Sequence, residues 1–362
     1  MKLIAQVKLQ TTSEQTNALK RTLRVANTAC NYIDNVAWDS NTFGQYHLHK
    51  IVYKDARATF ASLTSQVIIR CIARVADAYK INRKIQHVFK SLSAITYDDR
   101  ILRWYTNKSI VSIWTVDGRM HIPFVCGERQ RELLKTRQGE SDLVLRDGVF
   151  YLFATCNVDE PTPDDFTETL GVDFGIVNIA TDSDGKTYSG AQINGLRHRR
   201  RHLRQKLQKK GTKAAKRLLK KRSGKEQRFA KHENHRISKE LVSKAKDTKR
   251  AIAIEDLTGI RKRTTVRRSQ RATHSSWSFY DLRSKIEYKA KRAGVTVIVV
   301  DPRNTSRTCP DCGHVDKANR QTQSNFSCVS CGFSGPADTI AAINISRVAV
   351  NQPNVSTAQT IV

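Results

Sequence analysis

The sequence predicts an α/β protein in two parts, an N-terminal barrel interrupted by helices and a C-terminal sheet carrying an inserted metal ribbon. Three observations predict it. Two apolar strands in the second half each end in a carboxylate, strands of period two follow helices in the first half, and two C-x-x-C pairs precede a terminal helix.

From the N-terminus, Leu3–Leu9 alternates like a strand and Thr12-Ser13-Glu14-Gln15 reads as a capped helix start. A helix is expected from about Glu14 to Trp38, with Leu19, Leu23, Ala26 and Cys30 on one face, and a second helical stretch over Lys54–Arg83. From Ser93 the period shifts to two. Ile95–Trp104, Ile110–Pro123 and Asp142–Val158 read as strands, the last two folded at Asp117-Gly118 and Asp147-Gly148, dipeptides suited to tight hairpins. Trp104, Tyr105 and Trp114 are candidates for base stacking, but packing is their expected role. The acidic, proline-containing stretch Glu160–Glu168 reads as the linker.

Beyond it, Leu170–Thr181 is an apolar run broken by Asp173, and Arg250–Leu257 is a second strand ending in Glu255. A carboxylate in such a strand is costly unless it is paired or holds a cation. Asp338 opens an alanine-rich helix just after Gly335 and Pro336. Three carboxylates converging at one sheet end suit Mg²⁺, and two such ions about 3.5–4 Å apart activate a water and stabilise the leaving oxygen of a phosphodiester. The acids of Asp182-Ser183-Asp184-Gly185 read as turn formers, as does Asp301 before Pro302.

The chain has 362 residues and a formal net charge of +30, which calls for a polyanionic partner. Arg197–Arg250 holds 23 Lys and Arg against 4 Asp and Glu, a net +19. Its helical leucine seam and the break at Gly211-Thr212 suggest a basic helical insert over 197–247 that grips phosphates, with Arg199, Arg200, Arg204, Lys209, Lys213, Arg217 and Lys220 as the contacts. Arg261–Arg271 reads as a mobile basic loop, Ser276–Ala293 as a helix and Val295–Val300 as a buried strand. No apolar run reaches the roughly 18 residues of a membrane span. The N-terminus lacks a signal-peptide core, so a cytoplasmic, nucleoid-associated protein is expected.

Cys309, Cys312, Cys328 and Cys331 form two C-x-x-C pairs with 15 residues between them, the spacing of a ribbon in which four thiolates close a tetrahedral Zn²⁺ site. Gly313 and Gly332 let the backbone turn after each pair. Four sulfur ligands leave no open position, so this zinc is structural. Cys30, Cys71, Cys126 and Cys156 are read as core residues.

The order Asp173, Glu255, two C-x-x-C pairs, Asp338 resembles the RuvC nuclease half of TnpB, the RNA-guided nuclease encoded by insertion sequences. The likeness runs from Leu3 to about Ile345 and is densest from Ser276 onward. It implies an RNase H-like (RuvC) domain over 167–350 with a zinc ribbon at 305–335. It also implies an N-terminal β-barrel (wedge) domain over 1–166, with a helical recognition insert at about 14–90, and leaves 351–362 as a disordered tail. It further implies a DNA endonuclease with a catalytic triad of Asp173, Glu255 and Asp338 on two Mg²⁺; the oligomeric state is left open by the sequence, with a monomer favoured. The partners would be a guide RNA from the element's own end and a double-stranded DNA target beside a short motif, with the basic insert holding an A-form heteroduplex. One departure stands out: Ile340 occupies the third position of a motif that commonly reads D-x-N-A-A, which removes an amide beside the third acid. The rival readings are a compact type V CRISPR effector, a nuclease-dead repressor, which would be expected to lose part of the triad, and a DNA-cutting transposase.

Overall fold

A computed structural model describes residues 1–260 and 279–351. The basic loop expected at 261–271, the first residues of the helix expected from Ser276 and the tail beyond Asn351 lie outside the described residues. The chain divides into two compact units, Met1–Asp159 and Glu160–Val362.

In the first unit, β1 (Lys2–Leu9) leads into α1 (Ser13–Asp39). Thr12 caps that helix reciprocally, its hydroxyl accepting the Gln15 amide at 3.2 Å while the Gln15 side chain accepts the Thr12 amide at 3.1 Å. The helical stretch expected over Lys54–Arg83 is two helices, α2 (Gln45–Thr59) and α3 (Ser65–Ile81). The break falls where Thr64 turns its hydroxyl to the Val67 amide and starts a new helix. Leu19, Leu23 and Cys30 of α1 pack with Val67, Ile72 and Val75 of α3 in one core.

Seven strands complete this unit. They are β1, β2 (Ile95–Tyr97), β3 (Leu102–Tyr105), β4 (Ile110–Thr115), β5 (Gly118–Val125), β6 (Arg137–Arg146) and β7 (Val149–Asn157), with a short helix α4 (Glu128–Lys135) before β6. The expected strand Ile95–Trp104 is thus split by a turn. Their order is β2-β6-β7-β1-β5-β4-β3. Strands β2 and β3 stand at opposite ends of that row yet are joined by only four residues, Asp98–Ile101. A flat row would part them by about 29 Å at about 4.8 Å per strand. The connection spans at most about 18 Å, so the sheet must curl into a nearly closed barrel. Trp104 packs edge-on against Phe124 at 5.4 Å, in keeping with a core role.

The second unit is built on a five-stranded sheet of order β10-β9-β8-β11-β12. Its strands are β8 (Thr169–Asp173), β9 (Asn178–Asp182), β10 (Thr187–Ser189), β11 (Ala251–Glu255) and β12 (Val297–Val300). Between β10 and β11 run α5 (Ala191–Lys210), α6 (Lys213–Arg222) and α7 (Lys225–Asp247), and α8 (Phe279–Ala293) precedes β12. A two-stranded ribbon of β13 (Asn325–Ser327) and β14 (Ser334–Pro336) ends in α9 (Ala337–Asn351). Strands β8, β11 and β12 are parallel.

Alternation along the strands sorts their residues onto two faces. Leu170, Val172, Ile252 and Ile254 bury against Ile237 and Leu241 of α7 and Leu282 and Ile286 of α8. On the opposite face Ala253 and Val300 pack with Ile345 and Ala349 of α9. Asp173 and Glu255 are two residues beyond Gly171 and Ala253, so they emerge on the α9 face. Asp182 does more than form its turn: it is fully buried, accepts the Asp184 and Lys186 amides, and pairs with Lys244 at 2.7 Å.

Candidate nuclease and metal centres

The three acids come from two neighbouring parallel strands and the helix that crosses them. Ile254 pairs with Val172, so Glu255 and Asp173 finish β11 and β8 at the same level. Asp338 lies in the first turn of α9, where the unpaired amides of the helix favour a carboxylate. Two contacts set the height of α9 over β8. The Thr169 hydroxyl meets Ser346 Oγ at 2.7 Å, and Gly171 lies directly beneath the helix backbone. A Cβ at Gly171 would stand 1.9 Å from the Ala342 carbonyl oxygen, so only glycine permits this approach.

Each acid has its own surroundings. Half-buried Asp173 has its pKa raised to about 7 by burial and by the Glu255 and Asp338 charges, against the opposing pull of Arg320. Burial also raises that of Glu255, countered by Thr305, whose hydroxyl donates to Oε1 at 2.5 Å, and by Arg320. Asp338 accepts from the Asn178 side-chain amide at 2.8 Å and from Arg320 at 3.3 Å. Asn178, Thr305 and Arg320 escaped the sequence reading. They lie at a strand start and in irregular segments, where no periodicity points inward.

This set of hard oxygen donors, with more negative charge than Arg320 balances, fits divalent magnesium. Among the described residues, the four cysteines are the group of three or more ligating side chains whose ligand atoms all lie within 4.8 Å of one another. The acids stand further apart, as ligands shared between two ions can.

Cys309 and Cys331 bring their sulfurs to 3.6 Å, as do Cys312 and Cys328. Four thiolates at about 2.3 Å from zinc stand about 3.8 Å apart, so the cluster fits that ion. Gly313 and Gly332 turn with φ +75° and +77°, and their amides donate to Cys309 and Cys328 at 3.0 Å. The ribbon adjoins the acids through three contacts: the Ala337 amide on the Ser324 carbonyl, Arg320 on Asp338 and Thr305 on Glu255.

Of the seven basic residues expected to hold nucleic acid, Arg199, Arg204 and Lys209 on α5 and Lys213, Arg217 and Lys220 on α6 are exposed, while Arg200 is half-buried. Arg204 also pairs with Glu226 at 3.4 Å.

Residues 153–260 match the model of a probable transposase family, OrfB_IS605, and residues 279–345 match the Cas12f1-like TNB domain. Over 98% of this chain and 93% of the other, the fold is shared with the mini-RNA-guided endonuclease CRISPR-Cas_phi3 at a TM-score of 0.57 and 12% identity. The two chains therefore share an α/β fold. A TnpB-like protein of Methanocaldococcus jannaschii is 32% identical over 197 residues, 51% of this chain and 70% of its own length. The chain belongs to the TnpB-like family. It is also 42% identical to the CRISPR-associated endodeoxyribonuclease Cas12f1 of Sulfoacidibacillus thermotolerans over 114 residues, 31% of this chain. The match spans only 26% of that relative, and 36% of the Cas12f1 of Syntrophomonas palmitatica.

Proposed function

We propose that this chain is an RNA-guided DNA endonuclease of a mobile element, cutting DNA complementary to a guide RNA beside a short target-adjacent motif. The observation that carries the reading is the meeting, on one face of the sheet, of Asp173, Glu255 and Asp338 in a chain of the TnpB-like family.

In this reading Asp173, Glu255 and Asp338 hold two Mg²⁺. Bound there, the ions would supply Lewis acidity to a scissile phosphate and lower the pKa of the attacking water. The chain's own residues set the stage. Asn178 and Arg320 fix the rotamer of Asp338, and Thr305 fixes Glu255, so the ligands are held before substrate arrives. Arg320 also places a cation beside a developing phosphate charge. The zinc ribbon holds Thr305, Arg320 and the start of α9 in register, and so acts on the site without touching substrate. The first unit serves as the wedge and recognition domains. The exposed cations of α5 and α6, Arg199, Lys209, Lys213, Arg217 and Lys220 among them, grip the heteroduplex by its backbone. One centre cuts both strands in turn, in a monomer.

The test is expression with the native downstream flank and sequencing of the co-purified RNA, followed by cleavage of a matched target. A defined RNA crossing the 3′ end of the gene, and cleavage abolished by Asp173→Ala with target binding retained, are the expected results. Cleavage by Asp173→Ala sinks the assignment of the acids. The 42% identity to a Cas12f1 favours a compact CRISPR effector as the second reading, and a guide transcribed from a CRISPR array instead of the flank would select it.

A further inference from the structure

The helices α5 and α6 do not close on each other. Leu203 and Leu207, one turn apart on α5, face Leu219 of α6 across an open cleft of about 410 Å³. All three leucines remain partly accessible. Such a volume falls within the roughly 300–1,000 Å³ of small-molecule sites. Arg200, Arg204 and Arg222 ring this apolar floor. Glu226 at the cleft's end pairs with Arg204 at 3.4 Å, so the lining keeps a net positive charge. Arg200 carries the sharper signal: its Nη1 is shielded from solvent and has no hydrogen-bond partner among the described residues. A guanidinium N–H withdrawn from water and left unpaired is costly, so the Arg200 side chain, which lines the cleft, gains by turning that nitrogen toward an acceptor bound there.

A ligand for this cleft needs an apolar planar surface for the leucines and an anionic acceptor for the arginines. A free anion leaves the floor unused. A continuous duplex presents phosphates outward and keeps its bases stacked, so it too leaves the leucines bare. An unstacked nucleotide offers both surfaces at once, with its base against side chains and its phosphodiester on the cations.

We propose that the cleft between α5 and α6 is a binding site for one unstacked nucleotide of a single strand. Its base lies on Leu203, Leu207 and Leu219, and its phosphate meets Arg200 and Arg222. The inference rests on the reading of the basic helices as a nucleic-acid grip, and adds to it a pocket that selects single strands over duplex.

The discriminating variant is Leu207→Lys in the full chain, which adds a cation while spoiling the floor. Anisotropy titrations with labelled oligothymidylate, oligouridylate and a random duplex read its effect. If the leucines support a base, Leu207→Lys weakens binding of the preferred single strand about five-fold, the low end of what one stacked base contributes on aromatic side chains, and does not weaken duplex binding. Preference for oligothymidylate or for oligouridylate then tells which strand, DNA or RNA, supplies the nucleotide. Arg200→Gln weakens the same strand and lowers its salt slope by about one. Unchanged or tighter single-strand binding by Leu207→Lys overturns the proposal, because it would show that charge alone holds the strand. An independent reading needs no variant: 2-aminopurine within an oligoadenylate strand brightens when wild-type protein unstacks it, and no brightening overturns the site. Failure of wild-type protein to bind the duplex would instead remove the phosphate grip proposed above, leaving the single-strand result to decide the cleft.

Discussion

Replacing Gly171 by alanine adds a single methyl group beneath α9, and the structure fixes what it meets. The new Cβ would lie 1.9 Å from the Ala342 carbonyl oxygen and 2.7 Å from the Ser346 amide nitrogen, both backbone atoms of α9. Neither is the free end of a side chain, so the helix or the strand must move by about 1 Å. Overpacking of this kind costs about 1–3 kcal/mol, or roughly 3–10 °C of melting temperature for a unit of this size. Asp338 travels with α9 while Asp173 stays with β8. A displacement of about 1 Å between reacting groups costs on the order of 100-fold in rate. Thermal unfolding followed by circular dichroism, and single-turnover cleavage of a guided target below the new melting temperature, measure the two effects separately. A variant that melts within 1 °C of wild type refutes the seating of α9 on β8. One that is destabilised as expected yet cleaves at the wild-type rate refutes the claim that this seating positions Asp338.

Further perturbations test other parts of the second unit. Lys244→Met leaves Asp182, wholly buried, without its 2.7 Å ion pair, and is expected to cost about 3–5 kcal/mol in urea unfolding; a loss below 1 kcal/mol would show that the turn amides suffice. His235 has its pKa lowered to about 4 by burial and by Lys285, Lys289 and Lys231. Between its ordinary value and about 4 the unfolded chain binds the proton and the folded chain does not, so this contribution to stability is complete above about pH 6.5 and lost as pH falls through that window. Discounted for partial exposure, the loss is about 1–2 kcal/mol, and His235→Gln should show a correspondingly shallower fall between pH 7 and 4.5. Cys328→Ser should release zinc, read by a colorimetric chelator, and lower cleavage by loosening Arg320 and Thr305; undiminished cleavage after zinc release would disconnect the ribbon from the acids.

How much was legible in the sequence depends on whether a residue's role is set locally. Asp173 and Glu255 stood out as candidates because each ends an apolar strand, where a charge is costly unless it is paired or holds a cation, and the structure brings both to the same sheet end. The cysteines were readable because ligand spacing is itself local geometry. Helix α2 was not separated from its neighbour because it is mostly polar and buries only the thin stripe Leu48, Val52 and Ala56. Nor did two strand segments joined by a four-residue turn reveal themselves within Ile95–Trp104, because a tight turn between short strands leaves the alternating pattern almost intact. Arg320 was hidden for another reason: it is one of 63 Lys and Arg, and only the fold of the ribbon brings it to Asp338. Gly171 carried a signal that went unused, since a glycine inside an apolar strand often marks a close backbone approach.

Ile340 shows how the two readings meet. From the sequence, the isoleucine removes an amide from beside the third acid. In the structure its side chain is buried with Cys309, Phe326, Cys328 and Ala337, closing the small apolar core beneath the cysteine cluster. An asparagine there would bring a polar amide into that core at a cost of about 1–3 kcal/mol unless it found partners. Asp338 receives its amide from across the sheet instead, through Asn178 at 2.8 Å, while Asn344 donates to the Thr305 and Thr308 carbonyls at 2.8 and 2.7 Å. Thr305 in turn holds Glu255. Position 340 is therefore committed to the ribbon and Asn178 to the acid. It follows that Asn178→Ala, which removes that amide and leaves Ile340 and the ribbon core untouched, separates support of the acid from support of the metal: cleavage should fall while zinc content stays unchanged.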